Sequence, residues 1–110
     1  MNFNEYQKEA AQTAAYEPVG GIGWIYPALG LSGEVGELVN KLKKVLRDES
    51  GVISAEKLAA LKRELGDVQW YVAETARQLG LSLQEIAEDN IASLRDRKAR
   101  GVIAGSGDQR

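Results

Sequence analysis

The chain has 110 residues, 44% of them hydrophobic and 27% charged, with a net charge of −2. That length holds one domain with a modest core, for which burial by self-association is favourable, and the charge balance lacks the basic surplus of a duplex-binding protein. With no cysteine and no histidine, disulfides, zinc–thiolate sites, Ser–His nucleophiles and the usual imidazole base are excluded, so catalysis would have to run on carboxylates, lysines, tyrosines and metal.

Asn4-x-x-Gln7 resembles a capping box and predicts a first helix to about Tyr16, ended by Pro18 and Gly20-Gly21. The connection from Glu17 to Pro27 carries Gly23, Trp24, Ile25 and Tyr26. It is too aromatic for an idle linker and is expected either to pack over the helices or to wall a pocket. From Ala28 to about Arg47, Leu31, Val35, Leu38, Leu42 and Val45 recur at steps of four and three, which predicts an amphipathic second helix. Asp48-Glu49-Ser50-Gly51 reads as a turn, and Ser54 caps a third helix in which Leu58, Leu61, Leu65, Val68, Val72 and Leu79 repeat the rhythm. These two helices are expected to form an antiparallel hairpin.

Gly80 suits a helix end, and Ser82-x-x-Glu85 caps a fourth helix from Leu83 to about Arg100, with Leu83, Ile86, Asn90, Ile91 and Leu94 facing inward. The expected organisation is an all-α domain over residues 1–100 and a flexible tail over 101–110, where three glycines fall. No apolar run approaches the ~20 residues of a spanning helix, and the first residues show no basic stretch followed by an apolar one. The expected location is cytoplasmic, with no membrane partner.

Chemistry concentrates in two i,i+3 acidic pairs, Glu34-x-x-Glu37 and Glu64-x-x-Asp67. At about 100° per residue, Glu34, Glu37, Lys41 and Lys44 share one flank of the second helix, while Glu64, Asp67, Tyr71 and Glu74 share a flank of the third. Glu37 lies about ten residues before the turn and Glu64 about ten after the cap, so both sit roughly 15 Å from the hairpin's end. Antiparallel packing then sets the pairs side by side. Carboxylates so gathered stay ionised only beside a cation, and an all-oxygen donor set points to a hard ion, Mg²⁺ or Mn²⁺, and to phosphate chemistry. The bland alternative is a solvated acidic face on a helical dimerisation or scaffold module. Gly33, Gly36 and Gly66, each costly inside a helix, suggest that a bulky neighbour or ligand needs the space beside the acids.

These motifs resemble the MazG-like, all-α nucleoside triphosphate pyrophosphohydrolases. The match runs through Gly30-Leu31-Ser32-Gly33-Glu34-Val35-Gly36-Glu37-Leu38, Glu64-Leu65-Gly66-Asp67-Val68-Gln69-Trp70-Tyr71 and the stretch from Asn90 to Gly101, and into the tail at Gly105-Ser106-Gly107-Asp108. The resemblance implies a four-helix protomer assembling as a dimer or dimer of dimers, and hydrolysis of (d)NTP to (d)NMP and pyrophosphate. It makes Glu34, Glu37, Glu64 and Asp67 the Mg²⁺ ligands. Many relatives open the first motif with two adjacent acids, where this chain has Gly33 in the first position, which leaves the extra base or ligand unassigned.

Without histidine, the proton of an attacking water would pass to a carboxylate, Glu37 or Glu34. Lys41 and Lys44 follow on the same flank, to bind phosphate oxygens or to pair with acids one turn away, as Lys41 would with Glu37. Asn90 and Arg97 fall within about 20° of each other on the fourth helix, placed for a phosphate or ribose or for a bond within the bundle. Lys98 and Arg95 would join a phosphate cluster or complement the helix dipole. Trp24, Tyr26, Trp70 and Tyr71 are candidates for base stacking or for core. The expected partners are a small nucleoside triphosphate and further copies of the chain, as a homodimer or homotetramer, and no polymeric nucleic acid.

Overall fold

A computed structural model describes residues 1–102; most of the tail expected over 101–110 lies outside the described residues. The elements are α1 (Phe3–Ala11), α2 (Ile25–Asp48), α3 (Ala55–Gln78) and α4 (Leu83–Ala99), with no strand among the described residues. The fold is all-α with four helices, as the periodicity predicts.

α1 is capped by Asn2, whose side chain accepts from the Glu5 amide at 2.8 Å, not by Asn4. Both residues of the expected capping box reach across the molecule instead. Asn4 accepts from the Ser82 hydroxyl at 2.8 Å. Gln7 donates to the Leu81 carbonyl at 3.0 Å and the Ala73 carbonyl at 3.3 Å, and accepts from the Leu83 amide at 3.0 Å. One glutamine thus satisfies backbone groups that the break between α3 and α4 would leave unpaired. α1 also stops at Ala11 rather than near Tyr16. Thr13 donates its hydroxyl to the Ala10 carbonyl at 2.7 Å, and Tyr16 departs to reach Glu74 on α3.

α2 starts at Ile25, ahead of the expected Ala28, because Pro27 is tolerated in a first turn, where its missing N–H has no partner to lose. The α2–α3 hairpin turns through Ser50 and Gly51, both at positive φ, and Ser54 caps α3 by accepting from the Lys57 amide at 3.1 Å. Gly80, at φ 74°, ends α3, and Ser82 caps α4 by accepting from Glu85 at 3.2 Å. These three terminations fall where the sequence places them.

The buried apolar set is small: Ala10, Val45, Leu61, Ala73, Ala76 and Leu83, together with Pro27. α2 packs on α3, and α4 packs on α1 and α3 but not on α2. The expected inward face of α4 is therefore corrected. Leu83 is buried and Leu94 half-buried, while Ile86, Asn90 and Ile91 are exposed, because α1 is too short to cover the outer part of α4. On the hairpin, Leu31, Leu38, Val68 and Val72 are half-buried, but Val35, Leu42, Leu58 and Leu65 are exposed along with Val39 and Leu46. Among the described residues no helix is long and apolar enough to cross a membrane.

Candidate functional site

The antiparallel hairpin delivers the acids as the spacing argument requires. Glu34 and Glu37 lie one turn apart on α2, Glu64 projects from α3, and one carboxylate oxygen from each of the three lies within 4.8 Å of the others. Asp67 stands outside that triplet. It belongs to the same neighbourhood, since its charge acts on Glu34 and it lines the adjoining cavity with Glu34. The four acids divide by environment: Glu34 and Glu64 are half-buried, whereas Glu37 and Asp67 are exposed.

Burial pushes the Glu34 carboxyl above the ordinary carboxylate range, and the negative charges of Glu37, Asp67 and Glu64 push it further. Oε2 of Glu34 and Oε2 of Glu64 are buried without a hydrogen-bond partner among the described residues. Buried oxygens of this kind are costly, and an oxygen-coordinated divalent cation would satisfy both. The residues present therefore fit a hard metal ion.

Lys41 forms an ion pair with Glu64 across the hairpin, Nζ to Oε1 at 3.1 Å, in place of the expected pairing with Glu37. Lys44 is exposed on α2, and its charge acts on Asp48 at the helix end. Tyr71 packs against α2 at Gly30, where a Cβ would overlap its ring. Burial, the Tyr26 hydroxyl and the charges of Glu34 and Asp67 raise the Tyr71 pKa, which places this phenol beside the acids. Gly33, Gly36 and Gly66 meet no neighbour within 4 Å. The glycine that admits a bulky group is Gly30, and the three beside the acids border open space.

A cavity of about 350 Å³ opens beside the cluster, lined by Thr13, Glu34, Asp67, Trp70 and Tyr71. The Trp70 indole N–H donates to the Thr13 hydroxyl at 2.8 Å, and that hydroxyl in turn donates to the Ala10 carbonyl. Trp70 thus lines the cavity with its only donor already engaged. Thr13 had no signal in the sequence, because its place depends on where α1 ends. Asn90, Arg97 and Lys98 do not line this cavity: they lie on α4, which makes no contact with α2, and Asn90 and Lys98 are exposed. Glu74 is also apart from the cluster. Its carboxylate is buried against Tyr16 and Arg77.

The sequence model of the MazG nucleotide pyrophosphohydrolase domain matches residues 27–102. The chain belongs to the MazG family. That match spans α2 to the end of α4 and includes all four acids. A curated relative, the Gene 37 protein of Mycobacterium phage L5, is 47% identical over 114 residues, covering 100% of both chains. No solved structure matches the chain. At the level of the family, the chain is a hydrolase of the nucleotide pyrophosphohydrolase type, and MazG enzymes generally depend on a divalent metal.

The raised Glu34 carboxyl has a measurable consequence. Its folded pKa lies above the unfolded value, so the metal-free folded chain holds a proton that the unfolded chain has lost, and stability falls as pH rises through that window. A cation must displace the same proton. Titration with Mn²⁺ over a series of pH values, in buffers of different ionisation enthalpy, is expected to show proton release that is largest on the acid side and fades as pH rises; proton uptake would contradict the assignment.

Proposed function

We propose that this chain hydrolyses a nucleoside triphosphate at the α–β phosphoanhydride, giving the monophosphate and pyrophosphate, with Mg²⁺ as cofactor and Mn²⁺ able to replace it. The observation that carries the reading is the pair of buried, unpartnered oxygens on Glu34 and Glu64, inside an acid cluster of a MazG-family chain. Glu34, Glu37, Glu64 and Asp67 would hold the ion. When bound, it would neutralise the phosphate charge, polarise phosphorus and lower the pKa of an attacking water.

The chain's own groups do the rest. Water attacks the α-phosphorus, the bond to the α–β bridging oxygen breaks, and pyrophosphate leaves with the electron pair. The water's proton passes to a carboxylate of the cluster, Glu34 or Glu37, since no imidazole exists to take it. The nucleoside seats in the cavity against the Trp70 face and Tyr71, a stacking mode that tolerates different bases. Lys41 stands within reach of Glu64 and would turn to a phosphate oxygen; Lys44 would act further out. The net charge of −2 gives a nucleic-acid polymer no basic track.

Self-association belongs to the same reading. Val35, Val39, Leu42 and Leu46 on α2, with Leu58 and Leu65 on α3, leave an exposed apolar face on the hairpin that carries the acids. Pairing two hairpins through it would make a four-helix core and stabilise a chain whose own buried set is small. Asn90, Arg97 and Lys98 would then contact nucleotide only if assembly carries α4 to a site.

Two outcomes test this reading. With Mg²⁺ and a panel of (d)NTPs, products separated by anion exchange are expected to be monophosphate plus pyrophosphate, with activity lost to chelator and reduced on the order of 10²-fold or more by Asp67→Asn. Orthophosphate as the sole phosphate product would reject the α–β assignment. Sedimentation of wild type is expected to give a dimer or tetramer and of Leu42→Glu a smaller species; a monomeric wild type would reject the apolar face as an interface.

A further inference from the structure

Glu74 is 2% exposed, and its hydrogen-bond partners are Tyr16, Arg77 and Gln78, none of them a member of the acid cluster. Its Oε1 accepts from Arg77 Nε at 2.7 Å. Its Oε2 accepts from Arg77 Nη2 at 2.7 Å, from Gln78 Nε2 at 3.4 Å and from the Tyr16 hydroxyl. A buried ion pair is weak support for stability, since an apolar side chain of like volume commonly serves as well or better. Four donors on one carboxylate do fix geometry, and the geometry fixed here is that of the chain between α1 and α2.

That connection contains little else to hold it. Apart from the turn closed between Val19 and Ile22, it has no regular structure; Thr13 ties its start to Trp70, and Tyr16 anchors the stretch beyond to α3. Gly23 lets the chain pass directly against the Gln78 amide, where a Cβ would collide. The Tyr16 ring stacks on Tyr26, with centroids 4.9 Å apart and planes inclined by 17°. Tyr26 stands near enough to Tyr71 to help raise the Tyr71 pKa, and Tyr71 sits in the notch at Gly30 within the field of Glu34 and Asp67. A path of neighbours therefore runs from Glu74 through Tyr16 and Tyr26 to Tyr71 at the wall of the cavity.

We propose that Glu74 and Tyr16 are positioning residues: the buried carboxylate anchors Tyr16, whose ring holds Tyr26 and, through it, the Tyr71 phenol at the rim of the acid cluster. This rests on the nucleotide reading for its effect on substrate, while the positioning itself is a property of the fold. Tyr16 is suited to the task because burial and the Glu74 carboxylate push its pKa up to about 12, so it stays a neutral donor. Glu74 stays an acceptor: burial works against its charge, but the bonds from Arg77, Tyr16 and Gln78 outweigh that and lower its pKa.

The test uses Tyr16→Phe, which keeps the stacking ring and removes only the hydroxyl. Assayed well below its melting temperature, the variant is expected to raise KM for nucleotide roughly tenfold with kcat held. In a Tyr71→Phe background, Tyr16→Phe should add nothing further, since both act through the same phenol. An unchanged KM, or a full additional effect in that background, would overturn the proposal and leave Tyr16 a purely structural contact. If wild type hydrolyses no nucleotide, the functional reading fails, and tyrosine-labelled NMR decides the positioning alone. Loss of the Tyr26–Tyr71 ring cross-peak in Tyr16→Phe would support it, and retention would overturn it.

Discussion

Carboxylates from two antiparallel helices converge on one spot, and the hairpin must hold them there against their own repulsion. With ligand atoms within 4.8 Å of one another, two unit charges at that separation repel by about 1 kcal/mol in water and by about 3.5 kcal/mol at an effective dielectric near 20. Several such pairs together are not small beside a total stability of about 5–15 kcal/mol for a domain. Burial of Glu34 and Glu64 moves their environment towards the more expensive limit. The chain answers in part with its own charge, placing Lys41 against Glu64 at 3.1 Å, and the remaining repulsion shows in a Glu34 pKa above the ordinary carboxylate range. Lys41 meets the other oxygen of Glu64, so Oε2 of Glu34 and Oε2 of Glu64 stay buried without a partner among the described residues. A divalent cation would satisfy both, which ties the electrostatics of the fold to the metal dependence of its family.

The rest of the molecule is arranged around that strained spot. α1 contributes little core of its own, with Ala10 its one buried residue, yet Gln7 and Asn4 pin the α3–α4 junction. The connection after α1 is pinned in turn through Tyr16, and Thr13 within it holds the Trp70 indole. Polar side chains at the start of the sequence thus set the wall of a cavity whose acids come from the middle. What the protomer leaves open is the apolar face of the hairpin, on the same two helices as the acids. Rigidity of the acid cluster and self-association would then support one another.

Legibility in the sequence followed the range of the interactions. Local signals carry over directly: Ser54 and Ser82 cap the helices that follow them, and Gly80 takes the positive φ that ends α3. Glu34, Glu37 and Glu64 could be brought together because their meeting needs only helix rise and one short turn. Long-range polar contacts carry no such period. Asn4 and Gln7 fit a local capping pattern but bond to residues more than sixty positions away, and Glu74 shares the acidic flank by spacing although its partners are Tyr16 and Arg77. For α4 the period was right and the face was not. Helical spacing says which residues share a side, but only packing says whether anything covers it, and α2 does not reach α4.

The most direct measurement of the central claim is a comparison of melting temperatures at pH 7.5 for wild type and Glu34→Gln, each with chelator and with saturating Mn²⁺. If crowded carboxylates are what the metal relieves, Glu34→Gln melts above wild type in chelator, because one repelling charge is gone. Mn²⁺ then raises wild type far more than the variant. A variant that melts below wild type in chelator, together with a wild type indifferent to Mn²⁺, would contradict the account.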